Sequence, residues 1–470
     1  MSTALVLLRR DLRLDDHPAL AAACAGHDRV LPVYIHAPGE DALWQPGAAS
    51  RWWLHHSLKA LGNRLGEAGG ELFIARGEAL DVLRDLSGRC GATAVFWSRR
   101  YEPAAIAHDR RLEHALRAEG LAAESFPGNL WCEPWQLTTT DGKPYRVFTP
   151  YWRKLRAEVP LPPPQGTVRA RKWTRLPGGL EIDALGLLPK IDWDRGIAAT
   201  WRPGEAGAAE MLEIFVDSAL AGYQQMRDWP GRHGTSRLSP HLHFGEITPR
   251  QVWHGLRASI ARDATRPHAD LEPFLRQLAW REFAHHLLYH FPDTPTENFN
   301  PRFDQFHWSD EDPEAIRRWQ HGRTGVPLID AGMRELWHTG WMHNRVRMVV
   351  ASFLSKNLRQ HWLHGARWFW DTLVDADLAN NTMGWQWVAG SGADAAPYFR
   401  VFNPYTQAKR FDPDATYIGR WIPELADLPV RLLLEPWRDP AALAARGYPA
   451  PMIDVSASRD AALTAWKTLD

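Results

Sequence analysis

Short apolar runs alternate with longer stretches of helical spacing through the first 130 residues of the chain. The runs Ala4–Leu8, Val30–His36, Glu71–Ala75, Ala94–Ser98 and Ala123–Phe126 have the lengths of strands. Between them lie helical patterns over 50–68, 78–90 and 103–119. Strands alternating with helices predict a parallel sheet covered on both faces. The first strand runs into Arg9-Arg10-Asp11-Leu12-Arg13 rather than a glycine-rich turn. The expected unit is therefore Rossmann-like in architecture but lacks the dinucleotide fingerprint.

Proline and glycine dominate residues 158–204, which begin Val159-Pro160-Leu161-Pro162-Pro163-Pro164 and read as a connecting segment. From Gly204 onward the period becomes helical, with segments near 205–227, 249–261, 271–290, 312–320, 327–338, 343–358, 361–373, 380–389 and 457–468. Strand candidates are scarce there, and no repeat or low-complexity tract appears. The expected organisation is an α/β Rossmann-like domain over 1–130, a linker over 131–204 and a large all-helical domain over 205–470.

Composition narrows the class. Hydrophobic residues make up 45% and charged residues 23%, an ordinary balance with ample core material. The N-terminal apolar run is too short for a signal peptide, and no stretch has the length of a membrane span. Cys24, Cys90 and Cys132 form no CxxC and read as free thiols in a reducing cytosol. Lys plus Arg and Asp plus Glu balance at 55 each, so net charge does not favour nucleic acid. Distribution says more: Trp341 to Trp370 holds Arg345, Arg347, Lys356, Arg359 and Arg367 and no acidic residue. That is either local positive potential for phosphates or a helix pair with solvated arginines. The 25 tryptophans exceed what core packing usually requires, which suggests stacking platforms or redox stepping stones.

Four segments carry candidate chemistry. Thr235-Ser236-Arg237-Leu238-Ser239, after Tyr223, offers hydroxyls, a cation and free N–H groups, suited to phosphate oxygens or to capping a helix. Asp375-Ala376-Asp377-Leu378-Ala379-Asn380-Asn381 precedes Trp385-Gln386-Trp387, and carboxylates in so apolar a setting require partners; Arg347 is the candidate for Asp375. Asn381 and Trp385 share a helix face, an amide and an indole suited to a planar hydrogen-bonding ring. The stretches Gln277–Phe283 and Trp341–Met348 mix aromatics with hydrogen-bonding groups, either for an extruded base or as a wet helix interface. The histidines, among them His241, His243, His285, His286 and His290, lack HExxH or cysteine-rich spacing, so no metal is expected.

In this order the segments resemble the photolyase/cryptochrome family, most of all its class I cyclobutane pyrimidine dimer photolyases. The match runs from Arg10-Asp11-Leu12-Arg13 and Asp16-His17-Pro18-Ala19-Leu20 to Tyr398-Phe399-Arg400, Asn403-Pro404 and Trp421-Ile422-Pro423-Glu424-Leu425. The resemblance implies a light-driven carbon–carbon lyase that acts on UV-damaged DNA, with FAD and a second antenna chromophore, a folate or a deazaflavin, near Tyr101-Glu102-Pro103 and Trp44. It assigns FAD contacts to Tyr223, Thr235, Ser236, Arg237, Leu238, Ser239, Phe274, Arg281, Arg347, Asp375, Asp377 and Asn381, the last beside flavin N5. Electron-relay tryptophans map onto Trp385, Trp362 and Trp308, and lesion contacts onto Gln277, Trp280, Asn344, Arg345, Met348 and Trp387. The Trp341-Met342-His343-Asn344-Arg345 string departs from the (6-4) enzymes, which carry a second histidine in place of Asn344. Two departures from the dimer photolyases stand out: Gln277 replaces a usual glutamate and Phe274 a frequent tryptophan. The alternative implied by the first is a blue-light receptor of the cryptochrome type. A thermally active flavin oxidoreductase would want an acid/base group where Asn381 stands. The expected protein is a cytoplasmic monomer.

Overall fold

The computed structural model describes every residue except 41, 42, 169, 171, 263–269, 395–398 and 470; Tyr398 thus lies outside the described residues. Five parallel strands, β1 (Thr3–Leu8), β2 (Arg29–His36), β3 (Phe73–Arg76), β4 (Ala92–Ser98) and β5 (Ala122–Phe126), form one sheet in the order β3-β2-β1-β4-β5. Both faces of β1 are buried, and its side chains divide by the two-residue period. Ala4, Val6 and Leu8 join one core cluster, Leu5 and Leu7 the other. Helices Ala48–Glu67, Ala79–Cys90 and Pro103–Ala118 match the sequence pattern, and Pro18–Gly26 adds one that its short, uniformly apolar stretch concealed.

The stretch expected as linker is not uniformly extended. It contains the helix Phe148–Glu158, which buries Phe148, Tyr151, Trp152 and Leu155 in the same core as the helix Leu271–His290. Further on, Lys172 and Thr174 exchange backbone hydrogen bonds with Val30, beside the start of β2, before β3 begins to pair.

Helices dominate the remainder. The pattern over 205–227 is broken into Glu205–Ser218 and Tyr223–Met226, because Gly222 takes φ +81°, open at low cost only to glycine. The pattern over 343–358 becomes the α-helix Asn344–Ser352 continued by a π turn over Phe353–Asn357. Pro404–Phe411 and Thr416–Trp421 are additional short helices. Trp319, Trp362 and Trp385 are buried in the largest core cluster, so part of the tryptophan excess is packing.

The opening Arg-Asp-Leu-Arg motif joins the two halves. Arg13 is fully buried and donates five hydrogen bonds, to the Asp16, Gly128 and Gly245 carbonyls and to Asn129 Oδ1. Asp16, held at φ +55°, accepts from Gln165 N, Thr248 Oγ1 and Arg250 Nε. Leu12 N donates to the Phe244 carbonyl, and Glu205 accepts from Leu14 N and Asp15 N. Among the described residues no helix is long and apolar enough to cross a membrane.

Candidate functional site

The expected residues gather where the helices Leu271–His290, Asn344–Ser352, Trp362–Thr372 and Leu378–Ala389 pack together. Arg347 grips both oxygens of Asp375, at 3.1 and 2.8 Å, and its Nε donates to the Met342 carbonyl at 2.7 Å. One nitrogen, Nη2, makes both contacts, and the ion pair neutralises a carboxylate only 4% exposed, the partner expected from the sequence. Asn381 Nδ2 donates to the Ala366 carbonyl at 3.0 Å, a bond that does not use its Oδ1 acceptor. One turn on, Trp385 is 2% exposed, and its Nε1–H is buried without a partner among the described residues. Gly365 makes room for that ring: a Cβ there would sit 2.0 Å from it.

Asp377 is drawn elsewhere. Its carboxylate caps the helix Leu378–Ala389, accepting from Asn380 N and Nδ2, and stands 3.5 Å from both His243 and His285. Burial opposes its ionisation, yet the two imidazoles hold its carboxyl well below the ordinary range. Burial likewise opposes the charge on His285, and Asp377 outweighs it and raises that imidazole. These histidines, read from sequence only for metal, are carboxylate partners; their separation along the chain hid this. Arg281 is also engaged internally, donating to the Asn129 carbonyl and to Glu282.

In the hydroxyl-rich loop, Arg237 sits at φ +52° with its guanidinium 4.8 Å from the ring centroids of both Trp201 and Trp341. Ser239 Oγ accepts from Trp341 Nε1, Ser236 Oγ from Leu238 N, and Leu238 is buried. The preceding Gly234 runs so close to Met226 that a Cβ would meet its carbonyl at 2.5 Å. Tyr223 and Phe274 pack on each other and on Phe215. Thr235 is half-buried in this loop.

Several expected base contacts already have partners. Trp280 stacks on Phe148 at 3.6 Å, so the helix Phe148–Glu158 covers one of its faces. Arg345 pairs with Asp228 at 2.9 Å and lies over Phe411. Gln277 Nε2 bonds back to the Pro273 carbonyl. Asn344 and Met348 lie one turn apart, with Nδ2 and Sδ at 4.0 Å, and Trp387 Nε1 donates to the Asp394 carbonyl. Below them Glu335 accepts from Tyr417 and from His343 N, and burial pushes its carboxyl up to about 7. Asp228 and Glu335 carried no sequence signal, because they act through tertiary contacts; His343 stood in the Trp341–Arg345 string but was given no role of its own there. Of the five basic residues between Trp341 and Trp370, Arg345 and Arg347 are ion-paired and Lys356 is buried, so that stretch is not a row of solvated charges.

Of the candidate relay rings, Trp308 contacts His361 at 4.9 Å, and His361 lies 5.6 Å from Trp362. Trp362 and Trp385 are buried in one cluster. Near the sheet, Tyr101 donates to Glu133, Glu102 pairs with Arg10, and Trp44 packs edge-on against Trp370.

Two family models match: "FAD binding domain of DNA photolyase" over residues 274–468 and "DNA photolyase" over residues 4–167. A deoxyribodipyrimidine photo-lyase from Agrobacterium fabrum is 45% identical, over 98% of this chain and 97% of its own. The chain belongs to the DNA photolyase family. The photolyase-type enzyme, its FAD-binding domain and the two-part fold implied by the resemblance hold at that level. A solved class III photolyase from Agrobacterium tumefaciens superposes with TM-score 0.95 at 44% identity, covering 100% of this chain and 98% of the other. That structure is described as class III, whereas the Trp341–Arg345 string pointed to class I. Cryptochrome-2 of Arabidopsis thaliana is 37% identical over 97% of this chain and 77% of its own.

Proposed function

We propose that this protein is a light-dependent DNA-repair enzyme that splits cyclobutane pyrimidine dimers. The observation that carries the reading is that Arg347, paired with Asp375, and the Asn381–Trp385 face belong to helices that pack against each other in a chain of the photolyase family. These groups fit a flavin: they offer an amide oxygen as acceptor, an unpartnered indole N–H and a carboxylate already balanced by a cation. A flavin held there would supply the light-driven electron-transfer chemistry that opens the dimer.

The chain's own residues bind, orient and insulate. Tyr223, Thr235, Ser236, Arg237, Leu238 and Ser239 hold the phosphate-bearing part, with Phe274 and Arg281 behind them. Asp377 acts as a cap that fixes the helix bearing Asn381 and Trp385. Trp385, Trp362 and Trp308 conduct electrons inward, with His361 packed between the outer two. Gln277, Trp280, Asn344, Arg345, Met348 and Trp387 receive the flipped dimer, the Trp280 and Trp387 rings giving stacking surface. Flipping costs least where the lesion already stacks badly, which favours damaged sites. The division at 130 and 204, a folate or deazaflavin antenna in the sheet-bearing half, and a monomer working in the cytosol complete the reading.

A second reading, a blue-light receptor of the cryptochrome type, draws on Gln277, whose amide is turned back onto its own helix. The deciding experiment is repair of an oligonucleotide with one thymine dimer by the reduced, flavin-loaded protein. Light-dependent loss of the dimer is expected; no loss under light, with flavin bound, would leave the receptor.

A further inference from the structure

The turn Gly340–His343 follows the helix Pro327–Thr339 and meets three parts of the site at once. Trp341 Nε1 donates to Ser239 Oγ, and the Arg237 guanidinium lies 4.8 Å from the Trp341 ring centroid. The Met342 carbonyl accepts from Arg347 Nε, the partner of Asp375, and the Gly340 carbonyl accepts from Val374 N beside that carboxylate. His343 caps the helix Asn344–Ser352, its Nδ1 accepting from Arg345 N at 3.2 Å. One short stretch thus connects the hydroxyl-rich loop, the ion pair and the helix that carries Asn344, Arg345 and Met348.

The preceding helix fixes this stretch through two side chains. Thr339 Oγ1 accepts from Trp341 N at 3.2 Å. Glu335 Oε2 accepts from His343 N at 3.2 Å and from the Tyr417 hydroxyl at 2.6 Å. Glu335 is 6% exposed and Tyr417 fully buried. Among the described residues no cation pairs with Glu335 directly, and Arg237 and Arg347 act on it only at longer range. Burial outweighs these stabilising neighbours and lifts its carboxyl to about 7, so it changes charge near neutral pH. Burial pushes the adjacent His343 down to about 4, which leaves it neutral there. Beyond Tyr417 stand Asp412 and Arg420, and beyond His343 the pair Asp228–Arg345. On Glu335's own helix, Asp330 is taken up by Thr324 and Tyr448, and Arg334 by Glu424. His338, and Arg195, Arg317, Lys409 and Arg410 on the other helices packed against it, are exposed.

We propose that Glu335 is a positioning residue for lesion recognition: ionised, it clamps the Gly340–His343 turn and so sets the helix that presents Asn344, Arg345 and Met348; protonated, it loosens that turn. Hydrogen bonds to a carboxylate are stronger than those to a neutral acid, so both donors hold more firmly in the charged state. The clamp is therefore tight at pH above the titration of Glu335 and slack below it. The inference rests on the repair reading for its ligand, the flipped dimer, but not for the clamp itself.

The test uses the flavin-loaded full chain as wild type, Glu335→Gln and Tyr417→Phe, at pH values on either side of neutrality. Hydrogen exchange of the amides over residues 341–347, corrected for its intrinsic pH dependence, is read beside lesion preference. That preference is the ratio of affinities for an oligonucleotide with one thymine dimer and for its undamaged twin. In the wild type, protection and preference should both rise several-fold as pH passes through about 7. Glu335→Gln keeps an acceptor but has no proton to lose, so both should be flat with pH. Tyr417→Phe removes a donor to the carboxylate, so the midpoint should move to higher pH. A protonated-carboxyl stretch in infrared difference spectra, present below the midpoint and lost in Glu335→Gln, should assign the titration. Flat protection in the wild type, or the same pH profile in Glu335→Gln, would overturn the proposal. A clear preference for the dimer that ignores pH would overturn the role in recognition. Should Glu335→Gln fail to fold, the Tyr417→Phe midpoint decides. Equal binding of both oligonucleotides by the wild type at every pH would sink the repair reading instead, with the exchange profile still deciding the clamp.

Discussion

The carboxyl edge of the sheet and the interior of the helical half both concentrate charge, but they dispose of it differently. At the sheet edge Arg9 and Arg100 both pair with Asp109, Arg100 also reaches Glu40, and His108 lies 3.3 Å from Glu40. Burial works against Asp109, yet Arg9 and Arg100 hold its carboxyl well below the ordinary range. Open α/β sheets commonly bind ligands at this edge, and here side chains fill it with their own opposite charges. In the helical half, Arg237 is sandwiched between two indoles and Lys356 has a carbonyl in place of a carboxylate. Charge whose donors the chain satisfies itself, with carboxylates or with a full set of acceptors, serves structure; a cation with donors left over is available to a ligand.

That contrast can be broken at its structural end first. Arg13 closes the junction with five hydrogen bonds, and Arg13→Ala leaves those acceptors buried and unpaired. A loss of about 3–5 kcal/mol is expected in chemical denaturation. A near-neutral result would show that the junction does not depend on the hydrogen bonds of Arg13. In the helical half, Trp385→Phe should abolish light-driven reduction of the oxidised flavin while sparing repair by pre-reduced protein. The resemblance assigns the indole to the electron relay and not to the base contacts. Equal loss of both activities would make that ring structural.

A smaller effect is expected where the two behaviours meet. Arg345 is an expected DNA contact that the chain already pairs with Asp228. Asp228→Asn should release it, raising affinity for undamaged DNA by about threefold and steepening the salt slope by about 0.9. Unchanged slopes in filter binding or anisotropy would place Arg345 among the purely structural charges. The smallest effect belongs to Gln277. Gln277→Glu should raise the quantum yield of dimer repair by a modest factor, because hydrogen bonding to a charged species is stronger than between neutral groups. Binding of undamaged DNA should hardly change. A lower yield per absorbed photon would mean that the glutamine is itself adapted to its lesion.

The strands and most helices were legible from the chain, because periodicity encodes them; Arg347 was expected to pair with Asp375 across 28 residues because a carboxylate in an apolar setting requires a cation. Alternation places β1 side chains on two faces wherever the strand is packed, and a helix brings Asn381 and Trp385 onto one side by its own pitch. The helix Phe148–Glu158 was missed because it stands among prolines, and its apolar side became decisive only against Leu271–His290. Tertiary structure alone decided that Arg13 clamps two halves, that Asp377 answers to His243 and His285, and that Asp228 restrains Arg345. It alone buried Lys356 with the Arg400 carbonyl, not a carboxylate, as its hydrogen-bond partner. Sequence patterns report which residues share a face of one element. The partner of a charge is set by elements far apart in the chain, where only packing brings groups within a few ångströms and strips away the water that would screen them.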